Sequence, residues 1–142
     1  MAGLNLAKCR KIVRAAFAKS KEMDMKPLAV IVLDAGGNVL AFERQDGAPV
    51  GRFQIAQAKA NGAVMMGIPS SKIEDMAADR VAFATALSAT YDGKLLPAKG
   101  GVLVKDKKGT IMGAVGVSGD TSDNDALCGV AGIEAAGFVA EA

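Results

Sequence analysis

Histidine and tryptophan are absent from this chain, tyrosine occurs once and cysteine twice. Without histidine, Ser-His-Asp and Cys-His catalysis, histidine metal triads and zinc sites built on imidazole are excluded. Cys9 and Cys128 stand far apart with no C-x-x-C spacing, and read as reduced thiols buried in helices. There is no run of about 18 uncharged apolar residues, so no membrane-spanning helix is expected. The basic first residues are not followed by the apolar segment and cleavage site of a secretory leader. A soluble, cytoplasmic protein is the expectation. Aromatic residues are only 4% of the chain and no motif of a nucleic-acid-binding module occurs, so no nucleic-acid partner is expected.

What is present is apolar and glycine-rich. The 142 residues are 51% hydrophobic, enough for one core in a single domain spanning residues 1–142. Net charge is only +2, but it is unevenly placed: residues 1–27 hold seven Lys/Arg against two acids, and residues 117–142 hold five acids and no base. The two ends are expected to attract each other, within one subunit or between subunits.

Apolar positions Leu6, Cys9, Ile12, Val13, Ala16 and Phe17 follow helical spacing and predict an amphipathic helix over Asn5–Met23. After Pro27, the run LAVIVL (Leu28–Leu33), the turn residues Asp34, Gly36, Gly37 and Asn38, and Val39–Arg44 predict a β-hairpin. Asp46, Gly47 and Pro49 end it. Gly51–Met66 reads as a helix despite Gly62, ended by the Ile68-Pro69 step. Ser71 with Glu74 has the spacing of a capping box for a helix, or two, through Leu87. A second hairpin follows Gly93, and V-x-D-x-x-G-x-[VI] occurs at both Val32–Val39 and Val104–Ile111. An Ala/Gly-rich helix from Ser122 or Asp123 closes the chain. Hairpins with helices between and around them predict an α+β fold, one antiparallel sheet of about five strands covered by helices.

The stretch GVSGDTSDNDALCG (Gly116–Gly129) has no base for a phosphate loop, and its consecutive Asp123, Asn124 and Asp125 do not fit the calcium-loop spacing. No metal site is expected. Ser122 and Asp125 have capping-box spacing, so helix capping accounts for the acids. It does not account for Gly113, Gly116 and Gly119, which leave a strand without side chains and invite close approach by a ligand or a packed helix. Gly100-Gly101 extends the same suspicion to the neighbouring strand, and the two could floor a shallow pocket. Arg44 and Asp46 close the first hairpin. Lys59, in an apolar helix, would bind a carboxylate or act as a base if desolvated, although snorkelling to solvent is the favoured reading. A surface hydrogen bond is the expected use of Tyr91.

Taken together, VIVLDAGGNVLAFERQDGAP, QAKA, GGVLV and GAVGVSGDTSDND resemble, in order and spacing, the GlcG/HbpS family, the DUF336 or "haem-degrading" domain, also found at the C-terminus of PduO-type proteins. The resemblance covers nearly the whole chain. It implies a profilin-like or PAS-like sandwich, homo-oligomers from dimers upward, and haem or corrinoid-related binding in some members. By position, the family's D-A-G-G turn falls on Asp34–Gly37, R-x-D-G-A-P on Arg44–Pro49, the lysine helix on Lys59, the Gly-Gly strand on Gly100-Gly101 and V-S-G-x-T on Val117–Thr121. Gly100-Gly101-Val102-Leu103 lacks the proline frequent there. With no histidine, haem iron would need Tyr, Cys or Met, or no axial ligand. The expectation is an accessory small-molecule-binding protein of a catabolic pathway, taking a tetrapyrrole or a small organic acid. Its expected site comprises Arg44, Asp46, Lys59, Gly100, Gly101, Gly116, Ser118 and Gly119. Two alternatives are an enzyme using Lys59 or Asp46 as acid and base, and a structural subunit whose glycines serve assembly.

Overall fold

The computed structural model describes residues 3–142. Its order is α1 (Leu6–Glu22), β1 (Ala29–Asp34), β2 (Val39–Arg44), α2 (Arg52–Met66), α3 (Ser70–Asp79), α4 (Val81–Thr90), β3 (Gly101–Lys105), β4 (Ile111–Ser118), α5 (Ser122–Ala135) and β5 (Val139–Glu141). The strands form one antiparallel sheet in the order β2-β1-β4-β3-β5, as the hairpin reading anticipates. β5 was not anticipated: three residues after a glycine leave too short a pattern to separate a strand from a helix end.

Why β1 is an uninterrupted apolar run follows from its place. It lies inside the sheet with helices on both faces, so both alternating sets of side chains are buried. Val30 and Val32 join Val102, Val104, Val115 and Val117 against Ile12 and Val13 of α1 and Ile133 of α5. Ile31, Leu33, Leu103 and Ala114 face Ala56, Ala60 and Ala63 of α2. The chain's two ends do meet, as α1 packs on α5. The contact is apolar, with Gly132 letting α5 close on the Ile12 carbonyl.

The repeated hairpin motif has one geometry used twice. Asp34 accepts the backbone N–H groups of Gly36 and Asn38, and Asp106 those of Lys108 and Thr110. Gly37 and Gly109 take φ of 82° and 86°, and each hairpin carries a register shift, at Val32/Leu33 and Val104/Lys105. Such a turn needs a residue that tolerates positive φ after the type I bend.

Helix starts depart from the expected caps. Pro69, rather than Ser71, precedes the first turn of α3, and no side chain caps it. Glu74 is drawn away from that role, accepting the Lys99 N–H at 2.9 Å. At α5, Thr121 rather than Ser122 is the N-cap, accepting from the Asn124 N–H at 3.2 Å. α2 ends one step before the Ile68-Pro69 bond, at Gly67 with φ of 69°. Gly62 within α2 is explained by space, since a methyl there would press on Leu95 and Ile73. Among the described residues no helix is long and apolar enough to cross a membrane.

Candidate functional site

α2 crosses β4 and β3 closely because those strands omit side chains where it passes. A methyl on Gly116 would fall on the Ala56 carbonyl, and one on Gly101 on the Lys59 carbonyl. The alanine face of α2 and the glycines opposite are one feature. The space that Gly116 leaves is thus filled by the chain's own helix, and Gly119 is closed by the Pro27 carbonyl.

Lys59 does not snorkel to solvent. It is 3% exposed, its Nζ donating to the Val117 carbonyl at 2.9 Å and to Asp125 Oδ2 at 3.3 Å. α2 lies on one face of the sheet and α5 on the other, so this ion pair ties the layers at the end of β4. Asp125 is 1% exposed and also accepts the Asp120 N–H; it serves this tie, and the capping box expected of it is absent. Burial lowers the Lys59 pKa, and the Asp125 charge opposes that shift. Asp120 anchors the turn before α5 by accepting from the N–H groups of Lys26 and Thr121 and the Asn124 amide. Those bonds hold its carboxyl at a pKa of about 2.

The edge of β3 is finished by one hydroxyl. Ser70 Oγ accepts the Gly101 N–H at 2.7 Å and donates to the Gly101 carbonyl at 3.3 Å, fully buried. At this point β5 has already ended, so the outward polar groups of Gly101 would otherwise be unpaired. Gly100, with φ of 118°, packs directly on the Lys59 ammonium, which leaves no room for a side chain.

On the open side of this glycine pair lies a groove of about 310 Å³. Gly100, Gly101 and Val102 form one wall, and Ala126 and Leu127 of α5 the other. Lys99 and Asp123 bridge its rim at 2.8 Å, with Lys99 39% and Asp123 75% exposed. The Asp123 hydrogen bond raises the Lys99 pKa, so the ammonium is fully charged at neutral pH.

Only two of the eight expected site residues, Gly100 and Gly101, line this groove; Lys59 stands behind it. Ser118 is buried, accepting from Arg52 Nη1 at 3.2 Å. Asp46 lies elsewhere, in a shallower groove of about 580 Å³ with Arg14, Phe17, Lys21 and Met25. Arg44 is exposed on edge strand β2 and lines neither groove. Lys99 and Asp123, which do flank the glycine groove, have no local signal beyond their charge.

Iron ligation does not fit these residues. Among the described residues no Cys, Met or Tyr lines the glycine groove. Cys9 and Cys128 are buried in the core, and burial raises both thiols, Cys128 to about 11. Tyr91 donates to the Met66 sulfur. Met25, at the other groove, receives the Cys128 thiol. Among the described residues no group of three or more acidic or thiol side chains gathers as a metal site.

A five-stranded antiparallel sheet between helical layers, with a small groove where its glycine edge meets a helix N-terminus, defines a small α+β sandwich domain. The chain belongs to the HbpS-like family, described as haem degrading protein HbpS-like, whose model matches residues 4–134. It is 34% identical over 127 residues to an uncharacterized 15.0 kDa protein in the dhaT-dhaS intergenic region of Citrobacter freundii, covering 89% of this chain and 87% of that one. Similar solved structures include Klebsiella pneumoniae protein ORFY of DUF336 (TM-score 0.84, 27% identity, 94% of this chain and 90% of that one). Another is a double mutant of Streptomyces reticuli HbpS (TM-score 0.78, 28% identity, 94% and 87%). A PduOC:heme complex shares the fold (TM-score 0.87, 23% identity, 99% and 100%).

Proposed function

We propose that this chain is an accessory small-molecule-binding protein of a catabolic pathway, holding a carboxylate-bearing organic molecule in the Gly100-Gly101 groove. The observation that carries this reading is the position of Lys99, a charged ammonium on the rim above a largely apolar floor. Small-molecule sites commonly combine an apolar lining with a few placed polar groups. The partner that Lys99 now holds is solvent-exposed, and such pairs contribute only about 0–1 kcal/mol. A ligand carboxylate can therefore displace Asp123 at little cost.

Two sources offer that chemistry: a tetrapyrrole, through its propionates, and a small organic acid. The family and the haem complex of a fold relative support the first. The groove volume of about 310 Å³ takes a small acid whole and only the edge of a tetrapyrrole. For haem the contact would run through propionate and ring edge, without an axial ligand. Lys59 and Asp125 act as positioning residues that hold the floor strand. Acid-base catalysis by Lys59 is disfavoured, because its ammonium is buried behind Gly100.

Titration of the wild type and Lys99→Ala with haemin, followed by absorbance, and with benzoate, followed by calorimetry, tests the reading. Saturable binding of either probe, weakened about tenfold or more in Lys99→Ala, is expected for a charge-assisted contact of about 1.5–3 kcal/mol. Equal binding by the variant would remove the groove from the account. Haemin binding without benzoate binding would identify the tetrapyrrole source, and the reverse the small acid.

A further inference from the structure

The rim of the glycine groove carries one charge of each sign. Lys99 stands just before β3 and Asp123 in the first turn of α5, so the two belong to separate elements. Both are open to solvent, and they can part without disturbing either backbone. Acids outnumber the base here. Glu74 accepts the Lys99 backbone N–H at 2.9 Å, and beyond Asp123 itself the charges of Glu74 and Asp75 act on the Lys99 ammonium. A simple carboxylate that takes Lys99 therefore leaves Asp123 without its partner and brings its own charge to a rim where three acids face one ammonium.

We propose that the ligand of this groove is a zwitterion, an α-amino acid with an apolar side chain, whose carboxylate meets Lys99 and whose ammonium meets Asp123. The inference rests on the reading of the groove as a carboxylate site and names the class of small organic acid within it. Charge balance favours this class. A carboxylate alone exchanges one ion pair for another, whereas a zwitterion inserted between Lys99 and Asp123 replaces one pair by two. It also adds no net charge to an acid-rich rim. Hydrogen bonds between ionised groups are the stronger kind, and both ends of such a ligand make them. Its side chain then lies along the wall of Val102, Ala126 and Leu127. Leu127 is 49% exposed, apolar surface that the ligand would cover. Besides the ion pair, Ser71 is the only polar side chain among the described residues lining the groove. A hydroxylated side chain would find few partners there, and a second carboxylate would meet Asp123.

Calorimetric titration of the full chain separates the two charges, using L-phenylalanine, hydrocinnamate (the same molecule without the ammonium) and phenethylamine (without the carboxylate). L-phenylalanine is expected to bind the wild type about fivefold tighter than either analogue, the upper end for an exposed ion pair. In Asp123→Asn, with unchanged circular dichroism, the two acids are expected to move in opposite directions. L-phenylalanine weakens by about fivefold, while hydrocinnamate tightens because its competitor for Lys99 is gone. Equal wild-type affinity for the two acids, or tightening of both in Asp123→Asn, would overturn the zwitterion; the carboxylate reading survives that result if Lys99→Ala still weakens hydrocinnamate. Unchanged binding in Lys99→Ala, or no saturable binding of any probe, would overturn both. L-leucine against isocaproate repeats the comparison with a smaller side chain, so that a misfit of the phenyl ring does not stand in for either result.

Discussion

Replacing Lys59 with methionine keeps most of the stem and removes the ammonium that ties α2 to α5. At 3.3 Å from Asp125, and with an effective dielectric of about 20, the charges attract by about 5 kcal/mol. Desolvation offsets much of this in the wild type. In Lys59→Met, Asp125 stays buried with its charge uncompensated, a situation that costs about 3–5 kcal/mol. Urea unfolding followed by circular dichroism reads the effect. With a slope of about 2 kcal/mol/M, the midpoint falls by about 2 M. Asp125→Asn in the same background should be less damaging than the sum of the single changes, with a coupling of about 2 kcal/mol. A midpoint shift below about 0.5 M, or an additive cycle, would refute the view that this pair joins the layers.

Gly116→Ala should destabilise by about 1–3 kcal/mol, because α2 must lift from β4, whereas Gly51→Ala, where nothing lies within 4 Å of the added methyl, should be neutral or stabilise by up to about 1 kcal/mol; urea midpoints compare them. Cys128 predicts an alkaline dependence. The folded thiol, raised to about 11 by burial, keeps a proton that the unfolded thiol releases near 9.0. Its contribution is full below pH 9 and is lost as pH rises toward 11. The stability difference between wild type and Cys128→Ala should therefore shrink between pH 8 and pH 11, and a constant difference would contradict the assignment.

How far the molecule could be read in advance differs from element to element. LAVIVL and the twice-used Asp-Gly turn are local, and a period and a turn chemistry suffice to locate two hairpins. The spaced glycines pointed to close approach, but their pattern is the same whether a ligand or a helix arrives. For Gly116, Ala56 and Ala60, half the chain away, decide for the helix, while Gly113 and Gly119 are closed by the Leu33 and Pro27 carbonyls. Lys59 looked like a surface lysine because its partner is 66 residues downstream. Ser71 and Glu74 carry helix-start chemistry in sequence, yet the fold uses Glu74, along with the neighbouring Ser70, on the approach to β3. Of the candidate site, the glycine pair was legible. The rim charges were not, since Lys99 and Asp123 meet only when β3 and α5 pack side by side.

Amide chemical-shift mapping of the ¹⁵N-labelled chain during titration with haemin, and separately with benzoate, addresses the central claim most directly. The account predicts saturable changes or line broadening confined to residues 99–102 and 123–127, and their loss in Lys99→Ala. Saturable changes centred on Arg14, Lys21 and Asp46 instead, or no saturable change with either probe, would contradict it.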